Sequence, residues 1–449
     1  MVQIAKRKRN GKVKTCRFPN GLRQIFKSTE SRIPQVGGTS TDLEAVPKNF
    51  RIRRVADHLE VKDIWHKHIH GKRFTYASDC DSLRTYYQSV SSFLSFDTRL
   101  ASKSGHDIRN FLQQCILNNC LLQLRVLDLE GVYKPNLPKD IAKLSRLRYL
   151  GLRWTYLELL SPYINSLVQL QTLDLKHTYI QTLPRSIWKM KLRHLSLSES
   201  NRITFPPKPI GIDIGRSLHD LQTLWGVFVD EETPVKGGLD KLVNITKLGI
   251  TCHSQVSAVA DWIAKLQYLQ SLRLRSRDKQ GRPSKIHLKF LQHHTNLTDL
   301  YLFGCLNTPL NQLFLPSTLV VLTLSHSKLE DDPMQILKDA PNLRSLSLFA
   351  DSYLGQRIVC ESDSFSQLRV LRVWKLEQLE EWKIEEKALP SLRQLEIRLC
   401  PRMKVLPDGL NHVNSLLELK LTNMPMEIHA EKYNIPPNCE VHRDDSPLL

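Results

Sequence analysis

Apolar residues recur along most of this chain in one frame, Leu-x-x-Leu-x-Leu, separated by mixed polar stretches. The segments LRVLDL, LRYLGL, LQTLDL and LRHLSL begin at Leu124, Leu147, Leu170 and Leu192, at spacings of 23, 23 and 22 residues. The frame returns at Leu221, Ile245, Leu269, Leu297, Leu319, Leu343, Leu368, Leu392 and Leu416, with gaps of 29, 24, 24, 28, 22, 24, 25, 24 and 24. Self-similarity at such a period marks stacked repeats. The fourth and sixth positions of the frame lie two apart, so a short strand points both to one side and its other residues away. One unit cannot bury its own leucines. Each completes its neighbour's core, and stability approaches a sum of nearest-neighbour terms.

The pattern predicts an α/β leucine-rich repeat solenoid of about 13 repeats over residues 124–440, a curved horseshoe with a parallel β-sheet on its concave face. In several units a Leu-Pro turn (LPKDIAKL, LPRSIWKM, LPDGLNHV) leads into a short convex segment that returns Ile187 or Leu410 to the core. Small residues follow the strands, namely Thr155, Thr178, Ser200, Cys305, Ser327 and Cys400, groups able to bond the backbone at a turn. Two insertions interrupt the rhythm: the proline-rich 201–220 and the basic 275–290, with Gly281 and Pro283. Both read as loops from the solenoid edge. Residues 28–50, rich in Ser, Thr, Gly and Pro, read as a linker. Residues 51–123 read as an N-terminal cap, with a degenerate leading repeat at Ser82–Phe96 and a short helix at 105–119, and residues 441–449 as a C-terminal tail.

Composition narrows the class. At 41% hydrophobic and 24% charged residues the chain is globular rather than disordered. It has no run of the roughly 18 apolar residues that a spanning helix needs, and MVQIAKRKRN lacks the apolar core of a secretory signal. Nine cysteines without a CxxC pair argue against a disulfide framework or zinc ribbon and for a reducing compartment. The sequons Asn244-Ile-Thr246 and Asn296-Leu-Thr298 are then read as chance matches.

The net charge of +19 is concentrated at the start, where nine basic residues precede the first acid, Glu30. The run Lys6-Arg7-Lys8-Arg9 matches a nuclear address or phosphate patch, but a solvated basic surface is the preferred reading. No RNA-binding, zinc-finger or basic-zipper signature accompanies it, so nucleic acid is not the expected partner. Phosphate loop, GxSxG, HExxH and EF-hand motifs are all missing from the sequence. No catalytic residues and no cofactor are assigned. His66, His68 and His70 alternate, so a strand would place them on one face, where metal binding is conceivable; without an acidic or cysteine ligand nearby, no metal site is assigned.

The remaining candidates lie on the outward strand positions, the third, fifth, seventh and eighth of each unit. These are Tyr149, Arg153, Trp154, Lys176, His177, Trp225, Phe228, Arg273, Arg275, Tyr301, Phe303, Phe349, Arg372, Trp374 and Arg398, with Asp128, Glu130 and Asp174 in early units. Trp, Tyr and Arg dominate binding hot spots, and exposed aromatics along a sheet call for a partner or an internal cover. The bland alternative is that insertion 201–220 covers Trp225 and Phe228. Arg273, Arg275, Arg372 and Arg398 favour an acidic partner.

The stretch from LRVLDLEGVYKPNLPKDIAKL through LRYLGLRWTYL and TLDLKHTYIQTLP to LRHLSL, with the later IRLCPRMKVLPDGL, resembles the repeat region of plant intracellular nucleotide-binding leucine-rich-repeat disease-resistance proteins of the coiled-coil class. The LxGxIP signature of extracellular plant repeats is missing. Residues 1–27 resemble the tail of that family's winged-helix segment, with Phe18, Pro19 and Asn20 at the Met-His-Asp motif. Pro19 cannot play the part of a histidine facing bound nucleotide, and the coiled coil and phosphate loop are not in this sequence. The resemblance implies a non-enzymatic, cytoplasmic recognition module of plant innate immunity. Its partner would be a pathogen effector, a modified host protein or a full-length receptor in trans. A leucine-rich-repeat scaffold or adaptor for a signalling enzyme or ubiquitin ligase is the alternative; an F-box-like segment would mark it, and residues 1–50 show none.

Overall fold

The computed structural model describes residues 3–7, 13–17, 52–57, 68–71, 83–97 except 85 and 96, 103–199, 204, 205, 207, 218–253, 257–428 and 433–445. Ser200 and most of insertion 201–220 therefore lie outside the described residues, as do linker 28–50, His66 and the Phe18-Pro19-Asn20 motif. The chain forms two compact units, Met1–Ile52 and Arg53–Leu449. In the first, Gln3–Arg7 pairs antiparallel with Val13–Arg17.

The second unit is built on one parallel sheet of sixteen strands. Every Leu-x-x-Leu-x-Leu frame carries a strand of it, from Val126–Asp128 to Glu418–Thr422. Two strands precede these, Arg54–Asp57 and Ser92–Ser95, the latter within the stretch read as a degenerate repeat. One follows, Glu440–Asp444, paired with Glu418–Thr422. The segment read as a tail from 441 onward thus continues the ladder, because a free edge of backbone donors and acceptors takes up any strand of fitting register. Frame leucines are register partners across the stack: Leu127, Leu150, Leu173 and Leu195 follow one another, and all are fully buried.

The convex side follows from the Leu-Pro turns. Pro138 and Pro184, with φ of −66° and −65°, precede the 3-10 turns Lys139–Lys143 and Arg185–Lys189. Proline's fixed φ suits that entry, where its missing N–H costs nothing. Ile141, Ile187 and Leu410 return to the core as the pattern predicts. The helix Lys103–Leu117 buries Ile108, Leu112, Cys115 and Ile116, one stripe at helical spacing. It ends on left-handed Asn119 (φ 58°), with Cys120 N–H donating to Cys115 O at 2.8 Å and Asn119 N–H to Ile116 O at 3.1 Å, the paired bonds of a Schellman stop. Below it Phe111 stacks on Phe93 and meets Tyr87 edge-on.

Strand exits share one device. At the eighth position Trp154, His177, His326, Ala350, Lys375, Leu399 and Asn423 all have φ between 26° and 60°. Backbone bonds hold them: Trp154 N–H donates to Lys176 O at 3.0 Å, His326 N–H to Ala350 O at 2.7 Å and Lys375 N–H to Arg398 O at 2.7 Å. At the next position the Thr155 and Thr178 hydroxyls donate to Leu152 O and Leu175 O, at 2.6 and 2.9 Å, and Cys400 Sγ reaches Arg398 O. Ser327 departs from this pattern, since its buried hydroxyl has no bond among the described residues.

Two expectations need correction. In the frame at Leu221 the sixth position is Gly226 rather than an apolar residue. A register shift there, with Gly226 at φ 80°, lets Val227 take the inward place beside Ile250. An added Cβ on Gly226 would lie 2.3 Å from Leu197 O. The second correction concerns 275–290, which is not a free loop. The strand Ser271–Arg277 runs to Arg277, Asp278 accepts from Gln280 and Arg282 N–H at 2.9 Å each, and Lys285–Ile286 pairs with Cys305–Leu306. The sequons also find a structural role. Asn244 and Asn296 immediately precede their frames and donate to His219 O and Gln267 O of the preceding unit, at 2.9 and 3.2 Å.

Candidate recognition face

Alternation along each strand leaves one face of the sheet on the core and turns the other away from it, and the predicted residues fall on the second face in three groups. In the first, Arg153 stands among three carboxylates: Glu130 at 2.9 Å, Asp128 at 3.6 Å and Asp174 at 4.0 Å. Gly151 makes room, since a Cβ there would lie 2.3 Å from Asp128 Oδ1 and 2.9 Å from the Tyr149 ring. Burial, offset in part by Arg153, pushes the Asp128 carboxyl above its ordinary range. Burial, then the charge of Asp128, pushes the Tyr149 hydroxyl well up. Beside them Trp154, 51% exposed, stacks on His177 with ring centroids 3.8 Å apart. Lys176 is half-buried; its N–H donates to Asp174 at 3.1 Å.

Sequence reasoning missed the neighbouring column of Tyr133, Tyr156 and Tyr179, with centroids 5.6 and 5.7 Å apart. The signal was available, because each tyrosine stands 23 residues from the next.

The second group centres on the strand Ser271–Arg277. Its residues alternate between buried Leu272, Leu274 and Ser276 and half-exposed Arg273, Arg275 and Arg277. Trp225 lies over Gly249, where a Cβ would come within 2.6 Å of the indole. Lys247 and Arg273 stand 4.6 and 5.9 Å from its ring, so described groups of the sheet itself contact Trp225. Arg273 also lies 4.4 Å from the Tyr301 ring, while Arg275 and Arg277 lie 5.2 and 4.7 Å from Phe303. Phe303, predicted as exposed, is buried beneath these arginines and His326. The register shift carries Phe228 beside Thr251, and its ring meets His253 edge-on. The carboxylate of Glu199 reaches 2.9 Å from Arg273 and 3.8 Å from Arg275. That contact joins residues 74 apart, and the frame gives no hint of it.

In the third group Phe349 stacks on Trp374 at 4.2 Å, with Arg398 5.6 Å from the Trp374 ring. Arg372 donates to Glu396 at 2.8 Å. Arg273, Arg275 and Arg372 are thus partly neutralised from within rather than bare, and an aromatic exposed on this face is represented best by Trp154.

The histidine alternation resolves differently from a strand. His68, Ile69 and His70 lie in a helical turn that buries Ile69. His68 meets the Tyr87 hydroxyl at 3.0 Å, and His70 bridges Asp57 and Asp107 at 3.0 and 3.1 Å. Ser95 donates to the other oxygen of Asp57 at 2.7 Å. Among the described residues no cluster of three or more His, Cys, Asp or Glu is arranged to hold a metal. No helix among them is long and apolar enough to cross a membrane.

A family profile described as "Leucine-rich repeat region" matches residues 108–433. The Arabidopsis thaliana disease resistance protein RPH8A is 31% identical over 315 residues, covering 68% of this chain and 31% of that protein. Disease resistance protein RPP8 of the same plant is 40% identical over 137 residues, 30% of this chain and 15% of that one. The chain thus spans about a third of the length of the first of these. A leucine-rich repeat protein of Leptospira interrogans superimposes with a TM-score of 0.52 at 18% identity, over 85% of this chain and 99% of that one. At that identity the likeness speaks for the fold alone. Frame, sheet and relatives agree: the chain belongs to the leucine-rich repeat family, and its repeats are of the kind found in plant disease-resistance proteins.

Proposed function

We propose that the chain is a non-enzymatic recognition module of plant innate immunity, acting in the cytoplasm. It binds a protein partner through the outward face of its sheet. The partner is a pathogen effector, a host protein altered by one, or the nucleotide-binding module of a receptor.

The observation that carries this reading is the ridge at the start of the face. There Trp154 and Tyr179, 51% and 52% exposed, stand beside His177 and Tyr156 next to the charged Arg153 cluster. Aromatic area flanked by charge is the composition of an interface core and rim. The names of the relatives support the setting.

The test is quantitative co-purification from leaf tissue, comparing the tagged wild-type chain with Trp154→Ala plus Tyr179→Ala. Both side chains project outward, so folding is retained, which circular dichroism verifies. Selective loss of co-purifying protein is expected. An identical set captured by both chains overturns the assignment.

A further inference from the structure

The Arg273 strip carries more charge than the described residues satisfy. Alternate side chains of one strand stand about 6.8 Å apart along it, so Arg273, Arg275 and Arg277 form an evenly spaced row on one face. The described carboxylate on this row is that of Glu199, at 2.9 Å from Arg273 and 3.8 Å from Arg275. Arg277 spends one donor on Gly281 O. The Nε groups of Arg273 and Arg275 are buried without a hydrogen-bond partner among the described residues. Buried guanidinium donors left unmet are costly, and a carboxylate is the acceptor that suits their planar fork.

Glu199 shows what the row accepts. It lies on the strip as a carboxylate and shares itself between two arginines. An extended peptide presents every second side chain to one side with the same repeat of about 6.8 Å. Acidic residues at alternate positions therefore meet successive arginines in register. The Tyr301 and Phe303 rings are already faced by Arg273, Arg275 and Arg277. Those rings are not open for stacking by nucleic-acid bases, which favours a peptide over a single strand.

We propose that this strip binds an extended acidic peptide segment with carboxylates at alternate positions, and that Glu199 is an internal stand-in which the ligand displaces. The inference deepens the recognition role above and rests on it. Glu199 tunes affinity: it keeps the arginines neutralised when the site is empty, and any ligand must compete with it.

The test uses the full chain and a fluorescein-labelled peptide of alternating Asp and Ser, read by fluorescence anisotropy, with an Asn-Ser peptide and a single-stranded oligonucleotide of equal charge as comparisons. Glu199→Gln is expected to tighten binding about fivefold, the scale of one partly exposed ion pair. Arg275→Gln is expected to weaken it about tenfold, and added salt to weaken it steeply. A gain of affinity cannot come from misfolding, so the Glu199 arm stands even if an arginine variant is unstable. Unchanged or weaker binding by Glu199→Gln overturns the proposal, as does equal binding of the Asn peptide. Tighter binding of the oligonucleotide would assign the strip to nucleic acid instead. If these fail while Trp154→Ala plus Tyr179→Ala still loses its captured proteins, only the acidic-segment inference falls.

Discussion

Arg153 offers the sharpest check on how this face is held together. Arg153→Met keeps the apolar stem but removes the guanidinium from among Glu130, Asp128 and Asp174, at 2.9, 3.6 and 4.0 Å. The Glu130 side chain is 43% exposed, so its pair is screened and contributes under about 1 kcal/mol. Asp128 and Asp174 are more enclosed, at 16% and 11%. Leaving an enclosed carboxylate unpaired costs about 1–3 kcal/mol. The variant should therefore lose about 2 kcal/mol at pH 7.

The pH dependence separates this cause from simple loss of packing. The Asp128 carboxyl already sits above its ordinary value, through burial opposed by Arg153. Without Arg153 it rises further. A folded-state value raised above the unfolded one means that the folded chain binds more protons. Its contribution to stability is then full below the ordinary carboxyl range, about 3.9, and is lost as pH rises through the folded value. The deficit of Arg153→Met should thus shrink steadily as pH falls from 7 towards 4. Urea titrations followed by circular dichroism across that range measure it. A deficit that stays constant with pH would refute the electrostatic account and leave lost packing of the stem as the cause.

Three further outcomes follow from the geometry. Leu173→Ala removes a fully buried side chain stacked between Leu150 and Leu195, so it should cost roughly 2–5 kcal/mol in urea unfolding; a loss under about 1 kcal/mol would contradict the shared-core picture. His70 bridges the carboxylates of Asp57 and Asp107, one at each ring nitrogen; His70→Ala should cost about 3–5 kcal/mol and raise hydrogen exchange first in Arg54–Asp57 and Ser92–Ser95. Burial pushes the thiols of Cys252 and Cys360 up to about 12 and that of Cys400 up to about 11, so at pH 8 these should resist thiol reagents in the folded chain while half-exposed Cys305 reacts. Mass spectrometry of the labelled native chain checks this, and prompt labelling of Cys252 would show that its repeat opens. Because a raised thiol value favours the protonated folded state, these groups also make the fold less stable as pH climbs from about 9 towards those values.

Much of the architecture was legible because the repeat states it many times over. A frame whose fourth and sixth residues are Leu, Ile or Val in every unit but the one at Leu221 leaves little freedom in strand position, and the Leu-Pro turns located Ile187 and Leu410. Features made by a single residue were not legible. Gly226 shifts the register by one, so Phe228, eighth by counting, pairs with the seventh residue Thr251 while remaining on the outward face. In the last strand Val441 pairs with Leu419 but Arg443 stands opposite Leu421, so residues 441–449 read as a tail. Alternation gave the side of the sheet on which each residue falls, but not the mutual contacts there. Phe303 is buried by arginines of the preceding strand, and Glu199 reaches Arg273 across 74 residues of sequence. Alternation says which way a side chain points; it does not say what already lies there.

The left-handed residues at the strand exits carry a consequence for how such a chain can change. Trp154, His177, His326, Ala350, Lys375, Leu399 and Asn423 share one backbone conformation despite having nothing in common as side chains. Main-chain bonds to the neighbouring repeat, such as those of Trp154, His326 and Lys375, fix the site, so the side chain is not what holds it. Each exit is therefore a socket whose contents can be exchanged at a modest and uniform conformational cost. Ligand preference can be rewritten there one residue at a time, while the buried apolar residues two positions earlier go on maintaining the fold undisturbed.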